Sequence, residues 1–116
     1  MPHILVVEDD ASYAYALSRI LTRSGMRVTI AADGERALEN EAADPCDAVV
    51  LDLRMPGLHG SHVARRLRLS RPGLPIVVLT GVPDEIGDAP VDVLLTKTSS
   101  PSDVLYHLTA LTGSKS

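Results

Sequence analysis

The stretch AVVLDLRMPG, Ala48 to Gly57, decides how this chain folds. It opens on an apolar run, Ala48-Val49-Val50-Leu51, with no polar residue alternating through it. A strand with one wet face alternates, so an unbroken run of this length reads as a strand buried on both faces, as in a parallel sheet between helices. A carboxylate, Asp52, follows at once, and then the turn-forming Met55-Pro56-Gly57. A charge at the carboxyl end of a buried strand sits at the edge where open α/β sheets hold their ligands.

The same pattern recurs in Ile4-Leu5-Val6-Val7, Val28-Thr29-Ile30-Ala31 and Ile76-Val77-Val78-Leu79, with a weaker fifth run from Val91 to Thr96. Helical spacing lies between the runs. Tyr13, Leu17, Ile20 and Leu21 form one stripe, ended by Gly25. Ala37, Leu38 and Ala42 mark a second helix, and Val63 and Leu67 a third, which stops at Arg71-Pro72-Gly73. The last runs from Pro101 to about Leu111, with Val104, Leu108 and Leu111 apolar, Ser100 as its cap and Asp103 as capping-box partner. Strands alternating with helices predict an α/β fold, a flavodoxin-like doubly wound parallel sheet of order 2-1-3-4-5.

A chain of 116 residues fits one domain, spanning 1–112, with 113–116 expected as a flexible C-terminal tail. With no Phe and no Trp, the core must be aliphatic. The net charge of -4 argues against a nucleic-acid surface. The single cysteine, Cys46, excludes an internal disulfide, reads as an inert thiol and suits a reducing cytoplasm. Neither a signal pattern nor an apolar run of membrane-spanning length is present, so no membrane partner is expected.

In the 2-1-3-4-5 order the polar residues after the strands converge. Glu8-Asp9-Asp10 follow the first strand, Asp52 the third, Thr80 the fourth and Lys97 the fifth. Taken singly, each has a plain reading: a helix N-terminus, a strand-end hydroxyl, a solvated lysine. Gathered together, the carboxylates repel and call for a cation, and oxygen-only ligands favour Mg2+. A carboxylate beside a metal, a hydroxyl and a lysine is arranged for phosphoryl transfer.

ILVVEDD (Ile4 to Asp10), ADGERAL (Ala32 to Leu38), LDLRMPGLHG (Leu51 to Gly60), IVVLTG (Ile76 to Gly81) and LLTK (Leu94 to Lys97) together resemble the bacterial response-regulator receiver domain, whose fold is CheY-like. The resemblance covers nearly the whole chain. It implies a two-component phosphorelay in which Asp52 accepts a phosphoryl group from a phosphohistidine on a sensor histidine kinase or histidine phosphotransfer protein. Asp9 would then bind Mg2+ directly, Glu8 mainly through water, and Asp52 and the backbone carbonyl of Arg54 would complete the metal set. Thr80 would bond the phosphoryl group and report it, and Lys97 would pair with Asp52 and then with the phosphoryl oxygens. Such a domain is not an enzyme beyond Mg2+-dependent self-phosphorylation and autodephosphorylation. A dehalogenase-type phosphatase would want a second acid where Arg54 stands, and a flavodoxin-type cofactor site would not place Glu8-Asp9-Asp10 against a phosphate. The alternative is a degenerate receiver that binds partners without phosphorylation.

Three departures accompany the resemblance. Leu94 stands where receivers carry an aromatic residue, and Thr98 stands where proline usually follows the lysine, so that the Lys97-Thr98 bond is expected to be trans or strained. Between the fourth and fifth strands, Gly81 to Pro90 carry two prolines and two glycines, and at most about one turn fits around Asp84-Glu85-Ile86. The fourth helix of the pattern is therefore expected to be absent or vestigial. One sheet face would then lie uncovered, and a homodimer through the fifth strand, the last helix or that face would cover it. His59 and His62 read as surface histidines, and Arg65, Arg66, Arg68 and Arg71 as a solvated basic face.

Overall fold

The computed structural model describes residues 1–113, so most of the expected tail, 114–116, lies outside the described residues. The elements run β1 (His3–Val7), α1 (Ala11–Arg23), β2 (Arg27–Ala31), α2 (Gly34–Ala43), β3 (Ala48–Leu51), α3 (Gly60–Ser70), β4 (Ile76–Thr80), a single 3-10 turn (Pro83–Ile86), β5 (Val93–Thr96) and α4 (Pro101–Thr112). All strands are parallel, in the order β2-β1-β3-β4-β5. Three of the unalternating runs are buried on both faces, as parallel strands between helix layers must be: β1, β3 and β4 are buried at every residue, whereas β2, an edge strand, is buried only at Ala31 and leaves Ile30 exposed.

Each strand splits its side chains between two cores. Leu5, Val7, Val49, Leu51, Ile76 and Val78 pack under α2 and α3. Ile4, Val6, Ala48, Val50, Val77 and Leu79 pack under α1 and α4, where they meet Leu17, Leu21, Val104 and Leu108. Helix ends follow the sequence signals. Asp10 accepts from Tyr13 N to start α1, Gly25 turns the chain at φ 88° after it, and Ser100 and Asp103 form a reciprocal capping box on α4.

Some expectations need correction. Ala42 faces solvent, and Glu41 takes the buried place beside it. The Glu41 carboxylate is held by Arg71 Nη1 and accepts from the Cys46 backbone N–H and thiol. Burial, then the hydrogen bond to Glu41, push the Cys46 thiol up to about 12. The arginines on and just after α3 are not simply a solvated face. Arg65 pairs with Asp88, Arg71 with Glu41, and Arg68 Nη1 donates to the carbonyls of Pro72 and Leu74. Arg68 Nη2 donates to the Pro90 carbonyl and to Asp92, which also accepts the Ile76 N–H. β5 begins at Val93, and Val91 instead packs into the core.

The expected loss of the fourth helix is borne out: only the 3-10 turn stands there. The sheet face it would cover is nonetheless not bare. Val82, Ile86, Ala89 and Val91 lay the connection onto the same core as α2 and α3. Among the described residues no peptide bond is cis, so Lys97-Thr98 is trans.

The chain after β3 must pass close behind Asp52 to reach α3, and Gly60 permits this. A Cβ on Gly60 would meet the Asp52 carbonyl oxygen at 2.1 Å and Leu53 Cα at 2.7 Å, both backbone atoms. Gly60→Ala should therefore cost about 3 kcal/mol, at the upper end of overpacking penalties. Urea denaturation followed by circular dichroism checks this; a change under about 0.5 kcal/mol, the range of neutral surface substitutions, would contradict the close approach.

Candidate functional site

Strand register places the charged residues. Val7 is opposite Leu51, and the Asp52 N–H donates to the Val7 carbonyl at 3.1 Å, so Glu8 and Asp52 leave the sheet side by side. Thr80 is opposite Thr96, and the Lys97 N–H donates to the Thr80 carbonyl at 3.0 Å. By continued alternation Glu8, Asp52 and Lys97 fall on the α1/α4 side, and Thr80 on the other.

Lys97 Nζ lies 2.5 Å from Glu8 Oε1 and 3.1 Å from Asp52 Oδ2. It also stands 4.6 Å from the centroid of the Tyr13 ring, a cation–π contact from the first turn of α1. The Asp52 carboxylate accepts from the Leu53 N–H at 2.7 Å, and Glu8 accepts from the Asp10 N–H at 3.2 Å. Glu8 and Asp52 are 5% and 7% exposed, whereas Asp9 is open to solvent. Burial raises the Glu8 carboxyl above its ordinary range, against the lowering effect of the Lys97 hydrogen bond. Burial acts to lower Lys97, but its bonds to Glu8 and Asp52 outweigh this and raise it.

Carboxylate oxygens of Glu8, Asp9 and Asp52 all lie within 4.8 Å of one another. A hard, oxygen-seeking divalent cation fits this donor set, and a thiolate- or imidazole-seeking one does not. Thr80 is fully buried, and its Oγ1 accepts from the Val82 N–H at 3.1 Å. Arg54 extends its side chain into solvent and pairs with Glu85 on the 3-10 turn. The expected site residues are thus brought to one sheet edge, with the Thr80 hydroxyl held by the Val82 N–H.

Three participants were not legible as such. Tyr13 read as core, although its place one turn after Asp9 was a signal that it returns to the sheet edge. His59 read as a surface histidine. It instead caps α3 through its side chain and reaches Glu85 Oε1 at 2.9 Å. Glu85 itself carried no local signal, because its partners are remote in sequence. The bonds to Arg54 and then His59 hold its carboxyl down at about 2.

A family model described as the response regulator receiver domain matches residues 4–108. The chain is 42% identical over 113 residues to the response regulator MprA of Mycolicibacterium vanbaalenii, a match covering 93% of this chain and 49% of that protein. It is 41% identical to the MprA of Mycobacterium tuberculosis, with the same coverage of 93% and 49%. The chain therefore spans about half the length of the curated relatives it matches. Among solved structures it is similar to the Francisella response regulator 1452 receiver domain, with a TM-score of 0.90, 26% identity, and coverage of 97% of this chain and 98% of that one. It is also similar to the Thermotoga maritima response regulator protein TrrA, solved in complex with Mg(2+)-BeF, with a TM-score of 0.88, 27% identity, and coverage of 96% and 99%.

Lys97 is the cation on which two nearly buried carboxylates depend. Lys97→Met should destabilise the fold by about 3 kcal/mol near neutral pH, as breaking a buried ion pair does. The sign follows from Glu8. Its raised folded-state pKa means that stability is present below the unfolded value and lost as pH rises through the folded one, and removing Lys97 raises it further. The gap between variant and wild type should therefore widen from pH 4 to pH 7 in thermal melts, and a gap that narrows would contradict the assignment.

Proposed function

The chain belongs to the response regulator receiver domain family of two-component systems, and on that premise we propose that Asp52 accepts a phosphoryl group from a phosphohistidine on a sensor histidine kinase or histidine phosphotransfer protein. The observation that carries the reading is the gathering of Glu8, Asp9 and Asp52 oxygens within 4.8 Å, with Lys97 Nζ at 3.1 Å from Asp52. Glu8, Asp9, Asp52 and the Arg54 backbone carbonyl would hold the Mg2+ on which the family's phosphotransfer depends. The bound ion supplies positive charge to the phosphoryl oxygens.

Asp52 attacks phosphorus with one carboxylate oxygen. The phosphorus–nitrogen bond of the donor breaks, and its electron pair and a proton end on the imidazole. Lys97 keeps its charge throughout, because both carboxylates favour the ammonium form. It passes from pairing with Asp52 to pairing with the phosphoryl oxygens. The Thr80 hydroxyl already accepts from Val82 N–H, which leaves its own proton to donate to the phosphoryl group. The chemistry ends with self-phosphorylation and hydrolysis of the aspartyl phosphate. It takes place in the cytoplasm, in keeping with a buried free thiol and with no described helix long and apolar enough to cross a membrane.

Asp52→Asn should lose all Mg2+-dependent labelling by a small phosphodonor, read by intact-mass spectrometry. Undiminished labelling would move the acceptor elsewhere.

The output is a protein contact on an atypical surface. Leu94 is 39% exposed on the edge strand β5, and Tyr106 of α4 is 70% exposed. A homodimer through β5 and α4 fits this edge better than the sheet face, which the connection already covers. Light scattering with and without Mg2+ and fluoroberyllate should show the dimer rising with the phosphoryl analogue. A monomer throughout at high concentration would exclude it.

A further inference from the structure

The Glu85 carboxylate is engaged on both oxygens. Its Oε2 accepts from Arg54 Nε at 2.8 Å and from Arg54 Nη2, and its Oε1 from His59 Nε2 at 2.9 Å. The tautomer of His59 follows from its other nitrogen. Nδ1 accepts the Ser61 backbone N–H at 3.2 Å, so the ring proton is on Nε2 and is donated to Glu85. Arg54 and His59 stand at opposite ends of the loop from Asp52 to α3, and Glu85 stands on the 3-10 turn that replaces a helix. One carboxylate therefore clasps the acceptor loop to the β4–β5 connection. An open cleft of about 390 Å3 lies at the clasp, lined by Asp9, Arg54, Met55, Gly57, His59 and Glu85. Among the described residues Arg54 pairs with Glu85 and not with Glu8, Asp9 or Asp52.

We propose that Glu85 is a positioning residue of the acceptor site: it holds the Arg54 guanidinium, neutralised, on the wall of the cleft beside Asp9, and so limits how strongly the site draws in an anionic phosphodonor. This rests on the phosphoacceptor reading of Asp52. A free guanidinium binds phosphoryl oxygens well and raises the local concentration of an anion, whereas one already paired to a carboxylate adds little. Glu85 thus acts on the donor through Arg54 and does not touch the reacting atoms itself.

An acyl phosphate is the probe. One Asp52 oxygen attacks phosphorus, the bond from phosphorus to the acyl oxygen breaks, and its electron pair leaves on acetate with no proton consumed. Initial labelling rates are measured against acetyl phosphate concentration at fixed Mg2+ and low ionic strength. Glu85→Gln should lower the half-saturating donor concentration by a factor of about 3–10, at and below the low end of electrostatic focusing because a single charge is freed, with the maximal rate little changed. The gain should fade at high salt, and Glu85→Asp should behave as wild type. Arg54→Ala keeps the backbone carbonyl, and the Arg54→Ala/Glu85→Gln pair should label as Arg54→Ala alone. An unchanged half-saturation in Glu85→Gln, or a shift that persists without Arg54, overturns the proposal. A wild-type chain that does not label on Asp52 overturns the phosphoacceptor reading itself, and a labelled wild type separates the two failures.

Discussion

Everything at this sheet edge depends on one ammonium shared by two nearly buried carboxylates. Glu8 and Asp52 leave adjacent parallel strands side by side, and two like charges that close in a low dielectric cannot both ionise without a counter-charge. Lys97 supplies it, at 2.5 Å and 3.1 Å. The lysine comes from the far strand of the sheet, and it lands there because the Thr80 carbonyl accepts its backbone N–H and the Tyr13 ring covers its ammonium. The fold therefore has to add β5 to β4 at the edge of the sheet to stabilise charges at the ends of its first and third strands. The stability of this edge and the placing of a cation against Asp52 come from the same contact.

The short β4–β5 connection shows how a parallel sheet manages without a crossover helix. A helix satisfies its own backbone and covers a face; a loop does neither unaided. Here the tasks are divided. Val82, Ile86, Ala89 and Val91 supply apolar cover. Arg68 and Asp92 tie the far end of the connection to the neighbouring elements: Arg68 takes the Pro90 carbonyl, pairs with Asp92 and holds the Pro72 and Leu74 carbonyls before β4, and Asp92 accepts the Ile76 N–H. Arg65 to Asp88 and Arg54 to Glu85 fasten its exposed side. Such exposed pairs contribute little to stability one at a time, so their value here is in fixing where the loop lies.

Much of this was legible in the sequence because it is local. Unalternating apolar runs gave the buried strands, and Ser100 with Asp103 gave the α4 start, since each signal lies within a few residues. The acidic cluster and Lys97 became legible only through strand order, which turns positions 8, 52 and 97 into neighbours. What stayed hidden depends on partners with no fixed sequence spacing. Glu41 with Arg71, Arg68 with Asp92, and Glu85 with Arg54 and His59 are tertiary pairings between polar residues. Sequence pattern assigns such residues to solvent by default. For the same reason Ala42 read as core and Glu41 did not: hydrophobicity ranks alanine inside, while the contact of Glu41 with the half-buried Arg71 reverses the order.

The lost helix and the clasp of Glu85 are linked by geometry. A turn that follows β4 after only Gly81 and Val82 cannot carry its side chains far from the sheet edge, so its acidic residues stay near the acceptor loop. Asp84 and Glu85 both fall on that turn, and Glu85 meets the donors that the loop after β3 presents, the Arg54 guanidinium at its start and the Nε2–H of His59 at its end. Shortening the connection thus exchanges a helix that would stand over the sheet for a carboxylate that reaches across the mouth of the site. Glu85 thereby ties the β4–β5 connection to the loop that carries Arg54 and His59, and a change in either is felt by the other.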